Sequence, residues 1–208
     1  MLKKFALGAA AGLTNGQGGS VYLACENRLA GAALLTVALL CICYKGYNLY
    51  TGKVGFIPEK HDQDAVAELF LGLAGNALGA ALGGLALRAA LPALGETATA
   101  LAEGKLRQTF LQTLLRGVFC GLLMYLAVSI FKEKNTPLGV IFCIPVFILS
   151  GFEHSIADMF YFAAGGVFTL PALGFITAAV LGNSLGGMLL PTLTGRLRLR
   201  KKREEQSI

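Results

Sequence analysis

The sequence contains little charge. Only 14% of its 208 residues are Asp, Glu, Lys or Arg, whereas a typical soluble domain has about 25%. Hydrophobic residues make up 55% of the chain. So few polar side chains argue against both a disordered chain and an ordinary soluble domain. The composition instead predicts helices that span a membrane.

The sequence also lacks the patterns of metal sites, disulfide frameworks and common enzymes. It has no Trp and five cysteines, an odd number with no CxxC pair and no histidine at ligand spacing. It has no HExxH, GxSxG or Walker phosphate loop. We therefore expect no metal, no cofactor and no enzymatic activity, and we interpret the cysteines as small packing residues.

Six apolar blocks are each long enough to form a membrane helix. They cover residues 5–25, 29–50, 65–87, 109–131, 138–162 and 171–193. The first block begins like a signal peptide, but five more spans follow it, so we assign it to the membrane domain. The prediction is an all-α, six-transmembrane-helix polytopic membrane protein that forms a single domain over residues 1–208.

The basic residues predict the orientation of the chain. If the N-terminus lies inside, 12 of the 18 Lys and Arg residues fall in inner segments and four in outer ones. Six of the 12 lie in the tail between Arg196 and Arg203. Positive charge accumulates on the cytoplasmic side of membrane proteins, so both termini are predicted to be cytoplasmic. We therefore interpret the net charge of +6 as a topology signal, and we expect the basic tail 196–208 to contact anionic lipid headgroups. No nucleic acid is expected as a partner.

The chain repeats itself at an offset near 107 residues. The segment Gly75–Gly79, GNALG, matches Gly182–Gly186, GNSLG, and Gly46 near the end of block two matches Gly151 in block five. Each copy holds three spans, so the second copy enters the membrane from the opposite side. We therefore predict two inverted repeats, about 1–88 and about 105–195, as in many transporters and channels.

Polar residues interrupt blocks two and five at corresponding places, which predicts broken second and fifth helices beside a central pathway. Block five contains Glu153, His154 and Asp158, the only ionisable cluster deep within a span. We interpret His154 as a substrate or proton site, since imidazole changes charge near neutral pH. Glu153 and Asp158 are interpreted as struts that hold the broken helix. His61 is expected to lie in a solvated loop without a role.

The segment 150–160, SGFEHSIADMF, resembles the formate/nitrite transporter family, which usually has Asn where this chain has Asp158. Residues 49–52 and the helix-four segment 115–128 are also similar to the family, as are the two Gly-Asn pairs. The resemblance implies an aquaporin-like protomer, a homopentamer with one pore in each protomer, and a bacterial inner membrane. It also implies passage of small monovalent anions such as formate, nitrite or hydrosulfide, often with a proton.

The resemblance further implies roles for individual residues. His154 matches the central pore histidine, Thr51 the loop threonine that faces it, and Lys105 the basic residue of the outer vestibule. The hydrophobic constrictions would be formed by Phe147, Leu39, Leu49 and Tyr50. Polar support would come from Glu153, Asp158, Asn48, Asn76 and Asn183.

Two mechanisms and two other functions stay open at this point. The anion could gain a proton near His154 and cross as a neutral acid, or a protonated His154 could attract the bare anion, which an ionised Asp158 would favour. Asp158 and Asn48 depart from the family pattern, and so do Tyr50 and Gly121. A neutral-solute channel for water or urea and a non-transporting scaffold subunit are the alternative functions.

Overall fold

The computed structural model describes the backbone of residues 1–60 and 63–205 and the side chains of residues 1–58 and 64–195. These residues form helices and connecting loops, without a β-strand among them, so the predicted all-α class is confirmed. The helices are α1 Leu2–Ala24, α2 Arg28–Lys45, α3 Ile57–Lys60, α4 Gln63–Ala90, α5 Pro92–Lys105, α6 Phe110–Lys134, α7 Leu138–Leu149, α8 Ser155–Gly165 and α9 Leu170–Glu205. The side chains of His61 and of the basic tail 196–208 lie outside the described residues, and so do the expectations placed on them.

Four of the helices are long and apolar enough to cross a membrane. They are α2, the segment Asp64–Ala90 of α4, α6, and the segment Leu170–Gly195 of α9. The helix α7 is apolar but shorter. The helix α1 has 23 residues, and its segment 14–20 carries Thr, Asn, Gln and Ser side chains. Membrane-length apolar helices therefore account for blocks two, three, four and six of the predicted six.

Glycines bring two pairs of helices into close contact. The helix α1 packs along α4, and α6 packs along α9. At Gly12 an added Cβ would meet the backbone oxygen of Asn76, and at Gly121 it would meet the backbone oxygen of Asn183. Small residues of this kind let helix backbones approach each other in a membrane.

Two segments leave the helical conformation inside the bundle. The helix α2 ends at Lys45, and Gly46 follows with φ 66°. The helix α7 ends at Leu149, Gly151 has φ 72°, and α8 begins only at Ser155. Glycine adopts these left-handed angles without the steric cost that a Cβ imposes. The polar interruptions of blocks two and five are therefore the places where their helices stop.

Asn183 on α9 holds the break between α7 and α8. Its Oδ1 accepts a hydrogen bond from the Ser155 amide at 2.9 Å. Its Nδ2 donates to the carbonyl of Glu153 at 2.8 Å and to the carbonyl of Gly117 at 2.9 Å. One fully buried amide thus satisfies backbone groups that the broken helix leaves free.

Asn76 on α4 does the same for the break after α2. Its Oδ1 accepts from the Tyr50 amide at 2.8 Å. Its Nδ2 donates to the carbonyls of Asn48 and Gly8, both at 2.8 Å. Both asparagines therefore hold a loop where sequence analysis placed polar support.

The helix α5 lies against α8 and carries Lys105 at its last position. Pro92 occupies its first turn, where a missing amide proton is tolerated. Thr99 donates from its hydroxyl to the carbonyl of Gly165 at 2.9 Å, and Ala98 and Ala102 are fully buried. This packing fixes where α5 ends and so places Lys105 next to the start of α8.

Candidate functional site

His154 lies at the start of α8 with both ring nitrogens engaged. Its Nδ1 accepts a hydrogen bond from the amide of Ala157 at 3.2 Å, so His154 caps the helix with its own side chain. Its Nε2 lies 2.8 Å from the Thr51 hydroxyl. Because Nδ1 accepts, a neutral imidazole carries its proton on Nε2 and donates to Thr51. The Thr51 proton is then left for another acceptor.

Apolar side chains surround this polar pair. Phe147 from α7 stacks on the imidazole, with ring centroids 5.7 Å apart and planes inclined by 23°. His154 is 4% exposed and Thr51 1%. The two predicted pore residues therefore meet across the two helix breaks, 103 positions apart in the chain.

A cavity lies beside each of the two breaks. The cavity that contains His154, here called the His154 cavity, has a volume of about 320 Å³. The second, here called the Leu49 cavity, has a volume of about 280 Å³. The His154 cavity is lined by Leu35, Lys105, Phe147, Glu153, His154 and Asp158, among others. The Leu49 cavity is lined by Leu39, Leu49, Gly52, Lys53, Phe131 and Lys132, among others.

The two cavities have no lining residue in common. Leu35 and Leu39 lie one turn apart on α2, and Leu35 lines the first cavity while Leu39 and Leu49 line the second. The structure thus places Phe147 on the wall of the His154 cavity and Leu39 and Leu49 on the wall of the Leu49 cavity. It places Tyr50 elsewhere, since the Tyr50 hydroxyl lies 2.7 Å from that of Ser184 on α9 and Tyr50 lines neither cavity.

Lys105 forms ion pairs inside the His154 cavity. Its Nζ contacts Glu153 Oε2 and lies 2.9 Å from Asp158 Oδ1. The three side chains are 15%, 3% and 2% exposed, in the order Lys105, Glu153, Asp158. The family resemblance implied that Lys105 is the basic residue of the outer vestibule, and we interpreted the two carboxylates as struts. The structure brings all three together, so the lysine charge is already opposed by two acids.

The surroundings of Lys105 act on its pKa in opposite directions. Burial lowers the pKa of Lys105, because it disfavours the charged ammonium. Asp158 and Glu153 raise it, and their combined effect is larger, so the pKa of Lys105 lies above its usual value. The lysine is therefore an ammonium at any physiological pH.

Glu153 has more partners than Lys105 alone. Gln108 donates from Nε2 to Glu153 Oε1 at 2.7 Å, and Arg116 lies 4.0 Å from the same oxygen. The sequence interpretation missed Gln108 and Arg116, and also Arg28 and Tyr161, which line the same cavity. The spacing of Gln108, three residues after Lys105, and of Tyr161, one turn after Asp158 on α8, could have indicated their places. Arg28 and Arg116 come from helices whose packing the sequence does not specify.

Asn48 lies away from the pair, among backbone groups of α1 and α4. Its Nδ2 is 3.4 Å from the carbonyls of Lys4 and Glu68, and the residue is 1% exposed. Its neighbours are those expected of a residue that supports the first broken segment.

Membrane-length helices, two breaks that meet at a buried polar pair and a cavity beside each break define a membrane transport protein. The sequence profile described as "Formate/nitrite transporter" matches residues 1–195. The chain belongs to the formate/nitrite transporter family, as the motif at 150–160 indicated. It is therefore an integral membrane protein of a transporter family.

Two curated relatives agree with this assignment. The "Uncharacterized transporter YrhG" of Bacillus subtilis is 30% identical over 195 residues, which cover 85% of this chain and 73% of the relative. The "Formate-nitrite transporter 2" of Toxoplasma gondii is 34% identical over 182 residues, which cover 76% of this chain but 39% of the relative. The chain thus spans about two fifths of that second protein.

Two solved structures share the fold. A "Pentameric formate channel with formate bound" aligns with a TM-score of 0.81 and 23% identity, covering 95% of this chain and 97% of the channel. An "FNT family ion channel" aligns with a TM-score of 0.79 and 22% identity, covering 95% and 90%.

Proposed function

We propose that this protein passes small monovalent weak-acid anions of the formate, nitrite or hydrosulfide type across the membrane, each with a proton. The observation that carries the proposal is the buried His154–Thr51 pair, which is set among apolar side chains, with a cavity beside each of the two breaks. The name of the Toxoplasma relative and the formate-bound structural neighbour support this class of substrate.

The apolar surroundings favour a neutral species over a bare anion. Moving an ion into a medium of low dielectric costs an idealised ~20 kcal/mol, and one histidine and one threonine offset a small part of that. A protonated weak acid avoids most of the cost. In the mechanism that we propose, the anion gains its proton in the His154 cavity, crosses between Phe147, Leu39 and Leu49, and loses the proton in the Leu49 cavity.

The Thr51 hydroxyl and the neutral His154 imidazole orient the passing acid. With the proton on His154 Nε2 and a hydrogen bond to Thr51, the Thr51 proton is available to an acceptor oxygen of the substrate. Thr51 thereby gives the small acid one polar contact at the narrowest point.

We also propose that the protomer has six spans in two inverted repeats, with α2 and the α7–α8 segment as the broken helices. The matched hydrogen bonds of Asn76 and Asn183 support this, since each amide holds the loop of its own half through three backbone groups. By the distribution of basic residues the N-terminus is cytoplasmic, so the His154 cavity faces outward. The pentameric neighbour supports a homopentamer, and the family resemblance leads us to propose the bacterial inner membrane as its location.

Flux into proteoliposomes tests the proposal. Formate, nitrite and hydrosulfide are offered at two external pH values to the wild type and to His154→Phe. We expect uptake of one of the anions that rises as the outside pH falls and is lost in the variant. Uptake independent of pH, water or urea permeation without anion flux, or no flux at all would contradict it; the last two match the neutral-solute channel and the non-transporting scaffold.

A further inference from the structure

The His154 cavity holds an unbalanced group of charges. Lys105 Nζ contacts both Glu153 Oε2 and Asp158 Oδ1. One ammonium and two carboxylates give this cluster, here called the lysine–carboxylate cluster, a net charge of −1 when all three are ionised. Arg28 and Arg116 also line the cavity, but both are exposed. The repulsion of an anion is therefore local to the buried cluster around Lys105.

The two carboxylates are not equivalent. Both oxygens of Glu153 have partners, Lys105 on one and Gln108 on the other, and Arg116 lies near the second. Asp158 uses only Oδ1, on Lys105. Its Oδ2 is buried and has no hydrogen-bond partner among the residues that the structure describes. A buried, half-satisfied carboxylate is less stable as an anion than one whose oxygens are all paired.

Other ionisable groups line the cavity with Asp158 or interact with it electrostatically. They are Lys105 of α5, Glu153 and His154 of the break, Tyr161 of α8, Cys120 and Arg116 of α6, Tyr22 of α1 and Arg28 of α2. The two arginines are the only other permanent cations among these groups, and Arg116 is directed to Glu153. Asp158 is therefore the member of the cluster best placed to take up a proton.

We propose that Asp158 makes entry of the anion into the His154 cavity conditional on one proton. A proton from water adds to Asp158 Oδ2, and the cluster charge changes from −1 to zero. The anion then enters, the Oδ2–H bond breaks, the proton bonds to the anion, and the Asp158 carboxylate is restored. The cavity thus takes up one anion and one proton together. This inference rests on the proposed function and assigns its proton-loading step to Asp158.

The pH dependence of KM tests the role of Asp158. KM is measured in proteoliposomes with the anion that the wild type transports. At pH values above the midpoint of Asp158 protonation, we expect KM for the anion to rise about tenfold per pH unit, because one proton is linked to binding. In Asp158→Asn the cluster is neutral at every pH, so KM should change less than twofold per unit. The maximal rate of the wild type should stay constant with pH, because the saturated cavity already holds the proton; in Asp158→Asn it should fall as the pH rises, because no proton is loaded with the anion.

Two further variants separate proton loading from a structural role. Asp158→Glu should restore the pH dependence of KM with a displaced midpoint. Asp64→Asn, which removes an exposed carboxylate at the start of α4, should behave as the wild type does. A tenfold slope of KM retained in Asp158→Asn would overturn the inference and leave Asp158 as a strut.

The outcomes also distinguish this inference from the proposed function. If the wild type passes no anion, the proposed function fails. If it passes an anion and Asp158→Asn keeps the wild-type slope, only the inference fails. Should Asp158→Asn not assemble, Asp158→Glu decides, since an unchanged midpoint of KM against pH would count against proton loading by this side chain.

Discussion

At the scale of single residues, the position of His154 determines its chemistry. The imidazole caps α8, and this fixes Nδ1 as an acceptor. The remaining proton of the neutral ring must then point to Thr51. A helix cap, which is a structural device, thus sets the tautomer that the passing substrate meets.

Thr51→Val should reduce transport without disturbing the fold. Valine has nearly the shape of threonine but lacks the hydroxyl, so it leaves His154 Nε2 buried without its partner at 2.8 Å. Valine also removes the hydroxyl proton that we propose contacts the passing acid, and one hydrogen bond contributes about 0.5–1.5 kcal/mol. We expect anion flux in proteoliposomes to fall by up to about tenfold, because 1.4 kcal/mol corresponds to a factor of ten.

Thr36→Val provides the control for this variant. Thr36 is also buried, but its hydroxyl bonds only to the carbonyl of Ala32 on its own helix, at 3.4 Å. This variant should keep wild-type flux. If Thr51→Val also keeps wild-type flux, the hydroxyl has no part in passage and the apolar residues alone shape the pathway.

The positions of some functional residues could be predicted from the sequence, and those of others could not. His154 stood out because it is a titratable group within an apolar block, and the 150–160 motif placed it in a family. The pairing of Lys105 with Glu153 joins residues 48 positions apart and depends on where α5 ends against α8. The direction of the Tyr50 side chain depends on Ser184 of α9, so sequence spacing could not reveal it.

At the scale of helices, the local sequence causes the two helix breaks, and hydrogen bonds from other helices stabilise them. Gly46 and Gly151 allow the chain to leave the helix, and both were visible in the sequence as part of a repeat. The asparagines that satisfy the loops come from α4 and α9. The repeated GNxLG segments indicated that these positions matter, whereas their hydrogen bonds appear only once the glycine-lined helix pairs have formed.

Removing either asparagine should destabilise the protein by a similar amount. Each makes three hydrogen bonds to backbone groups, and a net value of about 1 kcal/mol for each bond gives about 3 kcal/mol. We expect Asn76→Ala and Asn183→Ala both to lower the thermal unfolding midpoint in detergent micelles. Two matched losses would support equivalent roles in the two halves.

Asn15→Ala is the matched control. Asn15 is 5% exposed on α1, and its Nδ2 has no hydrogen-bond partner among the described residues. Removing it should lower the unfolding midpoint by much less. If all three variants are equally destabilised, the loss reflects side-chain volume and the asparagines do not act through the broken helices.

At the scale of the whole molecule, the arrangement of charge favours electroneutral transport. The lysine–carboxylate cluster lies in one cavity, and that cavity has no lining residue in common with the other. An anion that enters with one proton and crosses as the neutral acid moves no net charge. An anion that crosses alone moves one negative charge through the membrane potential.

A potassium diffusion potential in proteoliposomes separates these two cases. One elementary charge moved through 100 mV changes the free energy by about 2.3 kcal/mol, which corresponds to about 50-fold in accumulation. We expect the accumulation of the transported anion to stay constant within about twofold as the potential is varied at equal pH. It should follow an imposed pH gradient by about tenfold per unit. Accumulation that follows the potential and ignores the pH gradient would show that the bare anion crosses, and would make a protonated His154 the group that stabilises it.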